Sequence, residues 1–176
     1  MTAKSLPAGV PDRPLAPLPP VEDWHPPHCG DSQMRIAADG IWFHQGSPIG
    51  RQELVRLFST LLRRDEGGFV LVTPAEKLSI AVEDAPFIAV LLEVEGAGRD
   101  QRLCFTTNVG DVVTAGAANR LFFKMVAEAP VPYVDVRRGL TAKASRPVYY
   151  QLADLAVSHQ GRLGVWSDGL FFAFAP

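Results

Sequence analysis

Eight of the chain's 15 prolines fall between Pro7 and Pro27. Each removes a backbone donor and biases its predecessor toward extended conformations, so this stretch is barred from helix and sheet interiors. The expectation is a flexible proline-rich tail over residues 1–27, with the fold built from the residues beyond it. Such tails dock on SH3-like domains in some proteins, but PxxP spacing arises readily by chance, and a plain linker is the simpler reading.

The remainder has the means to fold. The chain has 176 residues, of which 47% are apolar and 20% charged, a balance too apolar for global disorder. A formal charge of −2, with no long run of one sign, argues against nucleic acid as a partner. Cys29 and Cys104 are the only cysteines, so no disulfide framework is expected and a reducing compartment fits. The N-terminal residues lack the apolar core of a secretory signal, and no segment approaches the roughly 18–20 continuous apolar residues of a membrane-spanning helix. The expected location is the cytoplasm, with no membrane span.

Past the prolines, MRIA and IWFHQ flank Asp39-Gly40, a pairing that favours positive φ and predicts a hairpin. Ser47-Pro48 then offers an N-cap followed by proline, and Leu54, Val55, Leu57, Phe58, Leu61 and Leu62 recur at helical spacing, predicting a helix over 48–64. FVLVT and LSIAV around Pro74 to Lys77 read as a second hairpin, giving ββαββ. FIAVLLEVE, RLCFTT, VVTA and LFFKMV predict a meander. The chain then repeats the order: YVDVR, Arg138-Gly139, LTAKA, a helix starting at Ser145-Arg146-Pro147 and running through VYYQLADLAVSH, and a hairpin about Ser167-Asp168-Gly169. Gly40 with Gly139, Pro48 with Pro147, Leu54 with Leu152 and Leu57 with Leu155 match across the two segments, which reads as duplication. The predicted class is α+β, with duplicated ββαββ-type units and antiparallel sheets. The units are an N-terminal subdomain at 28–83 and a C-terminal one at 84–176.

The segments CGDSQMRIAADGIWFHQGSPIGRQELVRLFSTLLRR, LVTPAEKLSIAVEDAPF, TTNVGD and PYVDVRRGL resemble the bacterial domain-of-unknown-function family 1285. The likeness runs from about Trp24 to the C-terminus and is most specific at Thr73, Pro74, Glu76, Lys77, Asp84 and Pro86. It implies a duplicated α+β fold whose C-terminal part superficially resembles pleckstrin-homology-like domains. It also implies a proposed role in bacterial signal transduction, binding a nucleotide-like ligand where the two parts meet. The run VVTAGAANRLFF after TTNVGD departs from the more polar loop the family implies.

Chemistry-bearing residues are sparse. His25, His28, Cys29 and Asp31 are metal-capable, but structural zinc requires four convergent ligands on ordered backbone, and Pro26-Pro27 favours an extended chain there. Glu83 and Asp84 are adjacent on extended backbone and point to opposite faces, so a turn explains them better than paired catalysis. The loop Thr106 to Asp111 presents hydroxyls, an amide and a glycine that can form a nest of backbone N–H groups for an anion, although a polar hairpin loop explains it as well. Cys104 requires an electropositive neighbour to be reactive. No Walker A, Rossmann, HExxH or GxSxG pattern occurs. Neither a catalytic set, a metal site nor a cofactor is therefore expected, and the leading reading is a non-enzymatic small-molecule module with its ligand between the two subdomains. Thr73, Glu76, Lys77, Asp84, Asn108 and Asp111 would bind it, and Tyr149 or Trp166 would stack against it; Trp42 and Tyr150 are weaker aromatic candidates. The alternative is a protein-interaction adaptor that recruits a signalling partner through an exposed apolar patch.

Overall fold

The computed structural model describes residue 11 and residues 17–176; the rest of the expected tail lies outside them. From residue 17 onward the chain divides into two compact units, one holding 17–86 together with Arg138–Leu140, the other Phe87–Arg137 and Thr141–Pro176.

The N-terminal unit carries strands β1 (His28–Ile36), β2 (Trp42–His44), β3 (Ser47–Pro48), β4 (Leu62–Asp65), β5 (Gly68–Val72) and β6 (Lys77–Val82), with helix α1 (Gln52–Leu61) between β3 and β4. The predicted first hairpin forms: Met34 faces His44 and Ile36 faces Trp42, with Gly40 at φ 88 in the turn. The second hairpin also forms, Phe69 facing Ile80 and Val72 facing Lys77. The sheet order is β3-β2-β1-β6-β5-β4. Its central pair, β1 with β6, is parallel, whereas the sequence reading expected antiparallel sheets. Ile36, Trp42, Val55, Leu62, Val72 and Leu140 are among its buried apolar side chains.

The first helix is shorter than its apolar spacing predicts. Ser47 and Pro48 pair with β2 as a strand, and the N-cap is Arg51, which makes no side-chain capping bond. At the other end Leu62 turns extended, at φ −72 and ψ 132, and Leu62–Asp65 pairs with β5. Leu61 and Leu62 satisfy a helical stripe and a buried strand equally well, and the tight Glu66-Gly67 connection to β5 decides for the strand. Leu57, placed on the apolar stripe by its spacing, is 57% exposed.

Residues 17–27 also differ from the expected flexible linker. Val21–Asp23 forms one turn of 3-10 helix, and Val21 is fully buried. Arg63 donates to the carbonyls of Val21 at 2.7 Å and Trp24 at 2.8 Å, and Arg138 donates to the Pro19 carbonyl at 3.1 Å while pairing with Glu22 at 2.6 Å. The Pro27 carbonyl accepts the Lys77 amide. Prolines lose a donor but keep an acceptor, and here the acceptors are what hold the segment down.

The C-terminal unit contains β7 (Phe87–Glu95), β8 (Arg102–Thr107), β9 (Val112–Thr114), β10 (Leu121–Val126), β11 (Ala129–Arg137) and most of β12 (Leu140–Ala144). Helix α2 (Arg146–Asp154) and strands β13 (Val157–His159), β14 (Arg162–Ser167) and β15 (Leu170–Ala173) come after them. Ser145 is the N-cap of α2 and Pro147 lies in its first turn, as predicted, but the helix stops at Asp154 and Val157–His159 becomes a strand. The second large sheet runs β10-β11-β12-β7-β8-β9, and β13-β14-β15 forms a separate three-stranded sheet.

A duplicated two-domain architecture fits, with a different register from the predicted one. Adding six to each label of the first sheet gives β9-β8-β7-β12-β11-β10, which is the second sheet read from its other edge. In both, the first and last strands of the six form the central parallel pair. The repeat therefore sets β1–β6 against β7–β12. The matches of Gly40 with Gly139 and of Pro48 with Pro147 do not correspond in it: Pro48 sits in β3, Pro147 in α2, and α2 lies after the second repeat.

Candidate functional site

The sequence-derived candidates fall into both units. In the N-terminal one, Thr73 closes the β5–β6 turn: its Oγ1 accepts from the amides of Ala75 at 3.3 Å and Glu76 at 3.1 Å, and its own amide donates to the Glu76 carbonyl. Glu76 is exposed and Asp84 half-buried. In the C-terminal unit, Asn108 binds β7 as a backbone would, its amide donating to the Ile88 carbonyl at 2.8 Å and its Oδ1 accepting the Ile88 amide at 3.0 Å. Asp111 receives Arg137 Nε at 2.8 Å, and both side chains are only 9% exposed. Its amide donates to Thr107 Oγ1 at 3.0 Å, and Thr107 is fully buried. Tyr149 meets Tyr150 edge to face. Trp166 forms a cluster with His159 and Phe171, and Arg99 lies 4.9 Å above its ring.

Lys77 belongs to a cluster that the sequence reading missed. Its Nζ reaches Asp65 Oδ2 at 3.1 Å, and Asp65 Oδ1 takes Arg63 Nε at 2.7 Å. The bond from Arg63 holds the Asp65 carboxyl below the ordinary carboxylate range, partly opposed by burial and reinforced by Lys77; Arg63 is raised in return by the same bond. Beside this cluster, His28 Nε2 lies 2.7 Å from Ser79 Oγ. His28, Asp65, Gly67, Gly68, Phe69, Lys77 and Ser79 line a cleft of about 500 Å³. Alternation along LSIAV marked Ser79 only as a strand residue, and nothing near His28 in sequence points to its partner 51 positions away.

A second concavity, of about 560 Å³, lies between β10 and β15 in the C-terminal unit. Phe122, Phe123, Phe171 and Phe174 line it, with Arg120 and Arg162 among the residues around them. Phe123 and Phe174 have ring centroids 4.7 Å apart. Arg162 Nη2 donates to the Ala175 carbonyl at 3.1 Å, while the exposed Arg120 guanidinium has no side-chain partner among the described residues. The sequence signal was present, since LFFKM and LFFAF each put aromatic residues on both faces of a strand, leaving one face without a covering layer of its own.

Two compact units, each carrying a six-stranded sheet with a central parallel pair, define a duplicated mixed-sheet protein. Residues 19–85 match the model of the domain of unknown function DUF1285, N-terminal domain, and residues 86–174 that of the protein of unknown function DUF1285, C-terminal domain. The chain therefore belongs to the DUF1285 family. It is similar to a DUF1285 family protein of Silicibacter pomeroyi DSS-3 known from a crystal structure, at 49% identity and TM-score 0.86, covering 93% of this chain and 89% of that one. It is also similar in fold to a DUF1285 family protein of Shewanella baltica OS155, at 24% identity and TM-score 0.54, covering 70% of this chain and 91% of that one. No curated protein matches.

Proposed function

We propose that the C-terminal unit is a non-enzymatic binding module for a small molecule that joins a flat ring to an anionic group, as a nucleotide does, held in the aromatic groove between β10 and β15. The observation that carries this reading is Arg120, a guanidinium without a side-chain partner among the described residues beside a concavity walled by phenylalanines. Rings stack on Phe123 and Phe174, and Arg120 and Arg162 donate to the phosphate or carboxylate oxygens, as planar guanidinium groups do. The volume, about 560 Å³, falls within the range of small-molecule sites. The arginines are the only residues in the lining with polar side chains, so the groove offers neither nucleophile nor base and holds its ligand unchanged.

A cytoplasmic signalling role belongs to the same reading: a module that binds without turnover reports occupancy, and Cys29 and Cys104 are unpaired. So does the likeness of residues 84–176 to pleckstrin-homology-like domains, which use such a scaffold for recognition. Among the described residues no helix is long and apolar enough to cross a membrane. The adaptor reading draws on Val112, Met125 and Val126, each at least half exposed on β9 and β10, the edge strands of the second sheet.

The test is a thermal-shift and calorimetric screen of the full chain against mononucleotides, dinucleotides and their nucleosides. Ligand at about a hundredfold over its Kd adds roughly 2.7 kcal/mol, a rise of a few degrees. The expected result is a shift that needs the phosphate and is lost in Arg120→Ala and in Phe123→Ala. Silence toward every compound, or binding undiminished in both variants, overturns the groove and leaves the exposed β9 and β10 residues as the surface to pursue.

A further inference from the structure

We propose that Ser79 is a nucleophile activated by His28, making the cleft of the N-terminal unit an acyl-accepting site for small esters. This inference is independent of the aromatic groove, which lies in the other unit.

The starting point is a distance. His28 Nε2 and Ser79 Oγ are 2.7 Å apart, the separation at which a base accepts a hydroxyl proton. With the ring proton on Nδ1, Ser79 donates and His28 accepts, the arrangement that general-base activation of a serine needs. The two side chains come from strands paired in parallel, with His28 opposite Lys77 and Ser79 two residues further along β6. Two residues along a strand return to the same face, so Lys77 and Ser79 project together.

The surroundings fit a reacting centre. Ser79 is fixed through its backbone: β5 pairs it with Val70, and its carbonyl takes Ser32 Oγ at 2.7 Å. Lys77 is held by Asp65 at 3.1 Å, which sets a positive charge on the face where an acyl oxygen would become negative. Gly67 and Gly68 border the same cleft and put no side chain into it. About 500 Å³ accommodates a short acyl chain or a small ring.

In the reaction, Ser79 Oγ bonds to the ester carbonyl carbon as the carbonyl π pair moves onto its oxygen, and the carbonyl re-forms as the bond from that carbon to the alcohol oxygen breaks. The serine proton passes to His28 Nε2 and from there to the departing alcohol. Water then attacks the acyl-serine, its proton moving through His28 to Ser79 Oγ, and the acid leaves. The sum is ester plus water giving acid plus alcohol, with no change in oxidation state.

The competing account is that the pair only ties β1 to β6, and chemistry separates the two. The full chain is treated with a fluorophosphonate probe and mapped by mass spectrometry, and hydrolysis of p-nitrophenyl acetate is followed alongside. The expected result is one adduct at Ser79, none in Ser79→Ala, and a labelling rate at least tenfold lower in His28→Gln, with ester hydrolysis falling in parallel. His28 is exposed, so its replacement keeps the test readable even where Ser79→Ala lowers stability. No adduct at Ser79 in the folded chain at saturating probe, or His28→Gln labelling as fast as the parent, overturns the proposal.

Discussion

The two six-stranded sheets share one topology and differ in what is laid over them. In the first, α1 is inserted between the third and fourth strands; in the second, the corresponding connection is residues 115–120 without a helix, and α2 with the sheet β13-β14-β15 comes after the sixth strand. Their charged groups differ in the same sense. The N-terminal unit keeps Asp65 and Lys77 in the lining of a cleft, with Arg63 bonded to Asp65 and side chains 13–25% exposed, whereas the C-terminal unit encloses Asp111 and Arg137 at 9% each. The same strand order thus supports an accessible polar cleft in one unit, while in the other the ion pair is internal and the accessible concavity is aromatic. Topology sets where strands run; the appended elements set which faces remain accessible.

The strongest way to break this contrast is at Gly164. A Cβ there would meet Phe171 Cζ at 2.7 Å and Ala173 Cα at 2.9 Å, as well as the Phe172 carbonyl, so main chain must move. The glycine is needed for close approach: it lets the Phe171 ring reach His159 and Trp166 and also line the aromatic groove. Gly164→Ala is expected to cost about 3 kcal/mol or more, to alter Trp166 fluorescence, and to raise amide exchange across β13–β15 while β1–β6 stay protected. Equal loosening of both sheets would show that they are not separately stabilised.

Next in size is Asp111→Ala, which strips the carboxylate from an enclosed guanidinium and should cost about 3 kcal/mol in denaturant unfolding. A cost below about 1 kcal/mol would mean that the Arg137 pair behaves like a surface ion pair, and the contrast in enclosure would lose its energetic meaning.

Much of the fold was legible because hairpins announce themselves locally. Asp39-Gly40 and Pro74 to Lys77 carry their own turn chemistry, and the alternation in RLCFTT emerges as β8, with Leu103 and Phe105 buried. What failed were features decided by partners distant in sequence. Leu62–Asp65 continues a helical stripe until β5 captures it, and the parallel pairing of His28–Ile36 with Lys77–Val82 leaves no local mark. The same holds for site residues. Thr73, Asn108 and Asp111 stand out in the sequence as polar turn residues, and the geometry gives each a backbone or ion-pair partner. His28 with Ser79 and Phe123 with Phe174 are tertiary pairs, 51 residues apart in each case, and only folding joins them.

The smallest of the three effects is expected at Asp65, and its pH dependence makes it the most specific. Asp65→Ala should cost about 1 kcal/mol near neutrality, less than Asp111→Ala, because Arg63 keeps its bonds to the Val21 and Trp24 carbonyls and Lys77 can turn to water. The folded carboxyl lies below its ordinary value through the Arg63 bond first. A depressed folded pKa means that the unfolded chain binds the proton more readily. The contribution of Asp65 is therefore complete above the unfolded carboxylate's value, near 4, and is lost as pH falls through the lower folded value. The gap in stability between parent and Asp65→Ala should stay constant from about pH 7 to pH 5 and shrink below about pH 4. A gap that widens on acidification would place Asp65 among groups protonated in the folded state, and the polar cleft would then lose the charged carboxylate that fixes Lys77 beside Ser79.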